Sequence, residues 1–240
     1  MGWSITDAKA LEDAIFQLKF DLVKKISILR GMIVVDMGCG QGGFTASVAR
    51  IVGKDGKVLA VDVSDEYLLE FKENLSKWHV KDMVTFIQAD AANLKSVIPD
   101  DFADMVVSYR FLEELERPED MAKIVKEMAR IIKKSGKVCL IELSTETKNK
   151  AEENYVRLHE ESGDSFFASH EILKAMSEAN LTKVRVENFE TNIWFSPELA
   201  KRDLRCAQVW FTPEEEKRLG PSVDKYGMKY PALLIFSGVK

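Results

Sequence analysis

Ten residues carry the strongest chemical suggestion in this 240-residue chain: Val34-Val35-Asp36-Met37-Gly38-Cys39-Gly40-Gln41-Gly42-Gly43. Glycines at this density let a backbone turn tightly and approach a ligand with no Cβ in the way. An apolar run precedes them and a helical pattern follows, so the loop ends a strand and opens a helix, whose first amides are available donors. Two more acids sit where strands would end. Asp62 closes Val58-Leu59-Ala60-Val61, and Asp90 follows Val84-Thr85-Phe86-Ile87-Gln88-Ala89. A carboxylate closing the second strand suits the two hydroxyls of a ribose. Together these residues suit the grip of a small molecule that carries a nucleoside.

The loop satisfies two patterns. Gly38, Gly40 and Gly43 fit the G-x-G-x-x-G of dinucleotide folds, and Asp36, Gly38, Gly40 and Gly42 fit the acid-x-G-x-G-x-G of methyltransferases. Asp36, two residues before the first glycine, would repel a pyrophosphate but suits the cationic amino-acid part of S-adenosylmethionine. Asp62 serves both readings. Gln88-Ala89-Asp90-Ala91 has no use in a dinucleotide unit, whereas a methyltransferase sets such a stretch against the adenine.

With these pieces in that order, residues 30–145 resemble the class I S-adenosylmethionine-dependent methyltransferase family. Phe102-Ala103-Asp104 leading into a fourth strand and Lys134-Ser135-Gly136-Lys137 before a fifth complete the likeness. The resemblance implies S-adenosylmethionine as cofactor and no metal. It implies that Gly38, Cys39 and Gly40, in one loop with Asp36 and Gly42, line the methionine moiety. Asp62 would hold the ribose, Val63 would pack on the adenine, and Asp90 with Ala91 would hold its edge. Ser108, ending the fourth strand, joins the cofactor set. The next residues, Tyr109 and Arg110, are the candidates for facing the acceptor, Arg110 as the partner of an anionic group. No Asn/Asp-Pro-Pro-Tyr sequence follows that strand, so the expected acceptor is a small molecule, as in enzymes acting on quinone precursors, sterols or phosphobases. No substrate signature of those groups is complete. Plainer roles compete: Asp62 beside Ser64 could cap a helix, Asp90 could be turn chemistry, and Cys39 could contribute backbone alone.

The elements that must position these residues read as a Rossmann-like α/β fold. Short apolar runs alternating with helical stretches indicate a parallel sheet with crossover helices, and the resemblance implies a seven-stranded sheet, mostly parallel with an antiparallel last strand, with helices on both faces. Residues 32–37, 58–62, 84–88, 104–108 and 138–143 are near-continuous apolar runs, as strands covered on both faces require. Residues 183–190 and 232–239 supply the last two. Leu68, Phe71, Leu75 and Trp78 mark one helix; Met121, Ile124, Met128 and Ile131 mark another, started by Pro118 and stopped by Gly136. Ser169 is expected to cap a third that ends near Asn180. Leu11, Ile15, Leu18, Leu22 and Ile26 put one apolar face on an N-terminal helix over residues 5–27. Residues 192–230 separate the last two strands and contain two helix starts, Ser196-Pro197 and Thr212-Pro213. This segment is read as an inserted cap, a lid over the acceptor, within a single domain spanning 1–240.

Bulk properties agree. The chain is 46% hydrophobic and 30% charged, with a net charge of −5 that argues against nucleic acid as partner. Cys39, Cys139 and Cys206 are too scattered for a disulfide framework or a zinc site. The reading is a cytoplasmic monomer or homodimer with no signal segment and no membrane span. His79, His159 and His170 lack companion ligands and read as structural. Gly2 and Thr6 satisfy a loose acylation pattern that the bulky Trp3 fits poorly. Two other functions compete: an NAD(P)-dependent oxidoreductase, and a non-catalytic methyltransferase-like binding subunit.

Overall fold

A computed structural model describes residues 5–240; Gly2 and Trp3 lie outside the described residues. The chain divides into two compact units. One comprises Lys19–Glu142, Phe167–Glu187 and Leu234–Lys240; the other comprises Leu143–Phe166 and Asn188–Leu233 with the chain up to Leu18. Helix α1 (Ala8–Lys25) runs from one segment into the next, and its residues Leu11, Ile15, Leu18 and Leu22 are buried.

The larger unit is built on the sheet. Its strands are β1 (Ile33–Met37), β2 (Lys57–Asp62), β3 (Val84–Gln88), β4 (Ala103–Tyr109), β5 (Ile132–Leu143), β6 (Thr182–Phe189) and β9 (Leu233–Val239), in the order β3-β2-β1-β4-β5-β9-β6. The first five pair in parallel. β9 runs antiparallel to β5: Ser144 N–H donates to Ala232 at one end, and Gly136 accepts from Lys240 at the other. Helices α2 (Gly43–Val52), α3 (Leu68–Lys77), α4 (Met121–Ile131) and α6 (Ser169–Glu178) connect and cover the strands. Val35, Met37, Val61 and Val106 meet Ile124, Met128 and Met176 in one core. Each such side chain contributes about 1.5–3 kcal/mol on full burial. The strand order reverses at β1, whose neighbours are β2 and β4. A ligand crevice forms at that point, beyond the carboxyl ends of the strands.

Two boundaries depart from expectation. Helix α4 stops at Ile131, and Ile132 already pairs with Ala103 as the start of β5. Gly136 is therefore not a helix stop; the left-handed residue is Ser135, at φ 66°. Gly136 is needed for a close approach, because a Cβ there would lie 2.8 Å from Lys133 O and 3.0 Å from Asp104 O. Ser169 is the first residue of α6 and not its cap. The Glu171 carboxylate takes the Ala168 N–H at 2.8 Å and so starts the helix one residue earlier.

The smaller unit holds α5 (Lys150–Ser162), α7 (Pro197–Ala200), α8 (Pro213–Tyr226) and an antiparallel pair, β7 (Trp194–Phe195) with β8 (Met228–Lys229). Residues 192–230 are thus structured. Ser196 and Thr212 cap α7 and α8 as their types suggest, and Glu215 returns a bond to Thr212 N–H at 2.7 Å. Sequence reasoning did not assign α5. It begins where Asn149 accepts from the Ala151 and Glu152 amides. Polar groups fasten it: Tyr155 donates to Ala207 O at 2.6 Å, and Asn154 donates to Gly227 O at 2.8 Å. His159 lies here, buried, with Nδ1 2.7 Å from Asp164.

Candidate functional site

The glycine loop leaves β1 in conformations that side-chain-bearing residues resist: Gly38, Gly40 and Gly42 have φ of 70°, 44° and 76°. Four of its amides are committed inside the protein. Gly38 and Cys39 donate to Val61 O, Gly42 donates to Cys39 O, and Gly40 donates to Asp62 Oδ2 at 2.8 Å. A loop so engaged turns its Cα face, not its donors, outward. A Cβ added at Gly40 would meet nothing within 4 Å.

A cavity of about 330 Å³ opens at the reversal of strand order. That is near the lower end of the roughly 300–1,000 Å³ common for small-molecule sites. Gly38, Gly40, Asp62, Val63, Asp90 and Ala91, all singled out from sequence, line it together. Val63 is 68% exposed, which leaves an apolar surface open at the cavity. Asp36, Cys39, Gly42 and Ser108 are not among its lining residues, and neither are Tyr109 and Arg110. Ser108 is buried on β4 beside Met37 of β1. Tyr109 stacks on Phe44 with ring centroids 5.0 Å apart.

Asp62 and Asp90 combine the two roles that the sequence left open. Asp62 accepts from Gly40 N–H and, at 3.1 Å, from Ser64 N–H, yet still faces the cavity. A carboxylate has about four acceptor positions, so two remain for ligand hydroxyls. Asp90 takes the Ala92 amide at 2.8 Å as a turn residue, and its other oxygen lies 3.4 Å from Arg117. Arg117 also pairs with Asp120 at 2.8 Å.

Electrostatics distinguish Asp36 from these acids. It is buried beneath the loop and accepts from Thr45 Oγ1 at 2.6 Å. Burial raises its carboxyl to about 7; the Thr45 bond opposes this, Asp62 adds to it and the Lys19 charge opposes it. Lys19, from α1, was not singled out by sequence reasoning. Its Nζ lies 5.3 Å from the Tyr109 ring centroid and 2.9 Å from where a Cβ on Gly43 would be. A lysine on a solvated helix turn leaves no spacing signal, so only the packing of α1 reveals it.

The turn after β4 supplies the cavity's other wall through Phe111, Glu114, Leu115, Glu116 and Arg117. Phe111 lies directly on Gly38, where a Cβ would meet its ring at 2.1 Å. Arg110 is not placed to meet an acceptor. Its side chain is fully buried and its Nε donates to Glu113 Oε1 at 2.6 Å. Arg110 also has φ 51°, a left-handed conformation costing about 1–2 kcal/mol outside glycine. Such strain persists only where surrounding contacts enforce it.

Comparisons with known proteins agree with this geometry. The family model described as a methyltransferase domain matches residues 28–194. The ubiquinone/menaquinone biosynthesis C-methyltransferase UbiE of Proteus mirabilis is 30% identical over 123 residues, 51% of this chain and 47% of that protein. The chain thus spans about half the length of the curated relatives it matches. Among solved structures, a SAM-dependent methyltransferase from Aquifex aeolicus superposes with a TM-score of 0.60 at 20% identity, over 97% of this chain and 96% of that one. Phosphoethanolamine N-methyltransferase 2 of Haemonchus contortus gives 0.63 at 19% identity, over 93% and 52%. The match over residues 28–194, on a sheet of this order with a glycine loop and acids at its carboxyl edge, shows that the chain belongs to the class I S-adenosylmethionine-dependent methyltransferase family.

Proposed function

We propose that the chain binds S-adenosylmethionine and transfers its methyl group to a small-molecule acceptor by in-line displacement. The observation that carries this is the charge of the cavity. Among the described residues, Asp62, Glu66, Asp90, Glu114, Glu116 and Asp120 line it against one cation, Arg117. Such a wall attracts a ligand with a positive sulfonium and ammonium and repels a pyrophosphate. The committed loop amides point the same way, since phosphate recognition at such a loop uses free N–H groups. Both facts count against the NAD(P)-dependent reading.

The residues present fit the cofactor. Asp62 keeps acceptor positions for ribose hydroxyls, and exposed Val63 offers an apolar face for a base. Gly40 leaves its outer side clear, and Asp36, buried beneath the loop and bonded to Thr45, sets a further acid behind it. When bound, S-adenosylmethionine supplies an electrophilic methyl group on sulfur. The chain's own part is to hold methyl and acceptor about 3–3.5 Å apart and aligned, and to exclude water. The curated relatives named as C-methyltransferases of quinone biosynthesis support a small-molecule acceptor. Free cysteines and the net charge of −5 support action in a reducing cytoplasm away from nucleic acid. No helix among the described residues is long and apolar enough to cross a membrane.

Calorimetric titration tests the proposal: saturable binding of S-adenosylhomocysteine is expected, with none of NADH. NADH binding without a response to S-adenosylhomocysteine would overturn it. Native mass spectrometry of the freshly purified protein would show a retained acceptor, and turnover by the lone chain would exclude the binding-subunit alternative.

A further inference from the structure

Helix α3 reads Leu68-Leu69-Glu70-Phe71-Lys72-Glu73-Asn74-Leu75-Ser76-Lys77. Its interior is mostly Leu, Glu and Lys, which favour helix, so Asn74 stands out: the side chain of asparagine competes for nearby backbone groups and makes it a poor helix former. A residue that breaks the local preference is expected to serve something beyond its own element. The half-buried side-chain amide of Asn74 donates from Nδ2 to Gln41 O at 2.8 Å, across 33 residues of chain. Gln41 stands at the tip of the glycine loop, between Gly40 and Gly42, whose φ values are 44° and 76°. Glycines have many other conformations within reach, so such a tip holds its shape only through its contacts. Gly40 N–H is bonded to Asp62 and Gly42 N–H to Cys39 O; Asn74 adds a bond from outside the loop. The same helix face supports the loop a second time. Phe71, three residues before Asn74, is buried under Gly42, where an added Cβ would meet its ring at 2.6 Å, and it rests edge-on against Phe86 with centroids 5.4 Å apart. Immediately before α3, Val63, Ser64, Glu66 and Tyr67 line the cavity, and Tyr67 O accepts from Phe71 N–H at 2.8 Å.

We infer that Asn74 is a positioning residue: it fixes the tip of the glycine loop through the Gln41 carbonyl, and with Phe71 it makes α3 the brace that holds Gly40 against the wall of residues 63–67. Neither Asn74 nor Gln41 lines the cavity, so the action passes through the loop. When this bond is removed, the bonds of Gly38 and Cys39 N–H to Val61 O still hold the root of the loop at the end of β1. The tip, by contrast, gains conformations that a bound ligand must then suppress. Ordering one freed residue on binding corresponds to about a tenfold loss of affinity. That loss falls on the part of the ligand that lies on the loop, and not on the part held by Asp62 and Val63.

The bracing of the loop stands on this geometry alone, whereas its effect on ligand affinity rests on the proposed function; the experiment reads the two separately. Amide hydrogen exchange is recorded on the apo protein for wild type, Asn74→Leu and Asn74→His. Leucine lacks the donor and is the better helix former, so this variant folds; histidine carries a ring nitrogen at the same number of bonds from the backbone and can donate from it. In Asn74→Leu the Gly40 and Gly42 amides should exchange about tenfold faster, the rate expected when the opening of the tip becomes easier by the worth of one hydrogen bond. The amides of Gly38, Cys39 and α3 should keep their rates, and Asn74→His should restore slow exchange at the tip. Unchanged exchange at Gly40 and Gly42, equal acceleration in both variants, or acceleration spread through α3 would overturn the inference whatever the ligand. S-adenosylhomocysteine should bind Asn74→Leu about tenfold more weakly than wild type, while 5′-methylthioadenosine, which lacks the amino-acid part, stays within about twofold. Equal losses for both ligands, or no loss for either, would refute the positioning role. A wild-type protein that binds neither ligand would instead refute the proposed function, and the exchange rates would then decide on Asn74.

Discussion

Replacing Asp62 with Ala separates the two duties of that carboxylate. In the apo protein Asp62 accepts from Gly40 N–H at 2.8 Å and Ser64 N–H at 3.1 Å, both in part-exposed surroundings. Hydrogen bonds to a charged group contribute about 1.5–3 kcal/mol when fully effective, and solvent nearby reduces this. A loss of about 1–2 kcal/mol in stability is expected, which lowers the melting temperature of a chain this long by roughly 2–8 °C. The ligand-facing duty is a second loss. Leaving ribose hydroxyls without their acceptor costs about 1.5–3 kcal/mol, or about a tenfold to hundredfold weaker complex with S-adenosylhomocysteine. Affinity alone does not distinguish a misshapen loop from a missing partner, so the assay pairs the ligand with its 2′-deoxy analogue. Wild type should discriminate between them, and Asp62→Ala should not. If the variant keeps the full discrimination, Asp62 only shapes the loop and its assignment to the ribose is wrong.

Gly40→Ala places a methyl group where the structure is empty but φ is 44°; it should cost the apo protein about 1 kcal/mol of backbone strain and weaken S-adenosylhomocysteine much more, as read by melting with and without ligand. Asp36, raised to about 7 by burial, contributes stability that is present at acid pH and lost as pH rises from 3.8 through about 7; Asp36→Asn should flatten the melting temperature over that window, and an unchanged slope would show that Asp36 ionises normally. Lys19 acts on Asp36 beneath the glycine loop, so it is expected to meet the carboxylate of the cofactor's amino-acid part. Lys19→Met should then weaken S-adenosylhomocysteine by about tenfold while 5′-methylthioadenosine, which lacks that part, binds as before; equal losses would mark Lys19 as structural.

Periodicity and punctuation in the chain placed the strands and crossover helices, because strands buried on both faces must be continuous apolar runs and crossover helices must carry one apolar stripe; that the last strand runs antiparallel came from the family resemblance. The same local logic located Gly38, Gly40, Asp62 and Asp90, since a glycine-rich turn and an acid closing a strand are signals within a few residues of each other. It also set the starts of α7 and α8, whose caps lie in Ser196 and Thr212. Elements with weak internal contrast were not legible: α5 is polar along much of its length and is held by bonds to distant carbonyls at Ala207 and Gly227. Where α4 gives way to β5, the local basic residues and glycine suggested a helix end, but pairing of Ile132 with Ala103 outweighed them. Side-chain fate was the tertiary structure's decision throughout. Arg110 looked available for an acceptor because sequence shows its charge but not Glu113 folded back three residues on, nor Glu142 arriving from another strand. Lys19 and Phe111 look ordinary in the chain and act only because α1 and the turn after β4 bring them to the glycine loop. Residue types and spacing along one strand of chain fix local geometry, while burial, charge pairing and protonation depend on neighbours that only folding brings together.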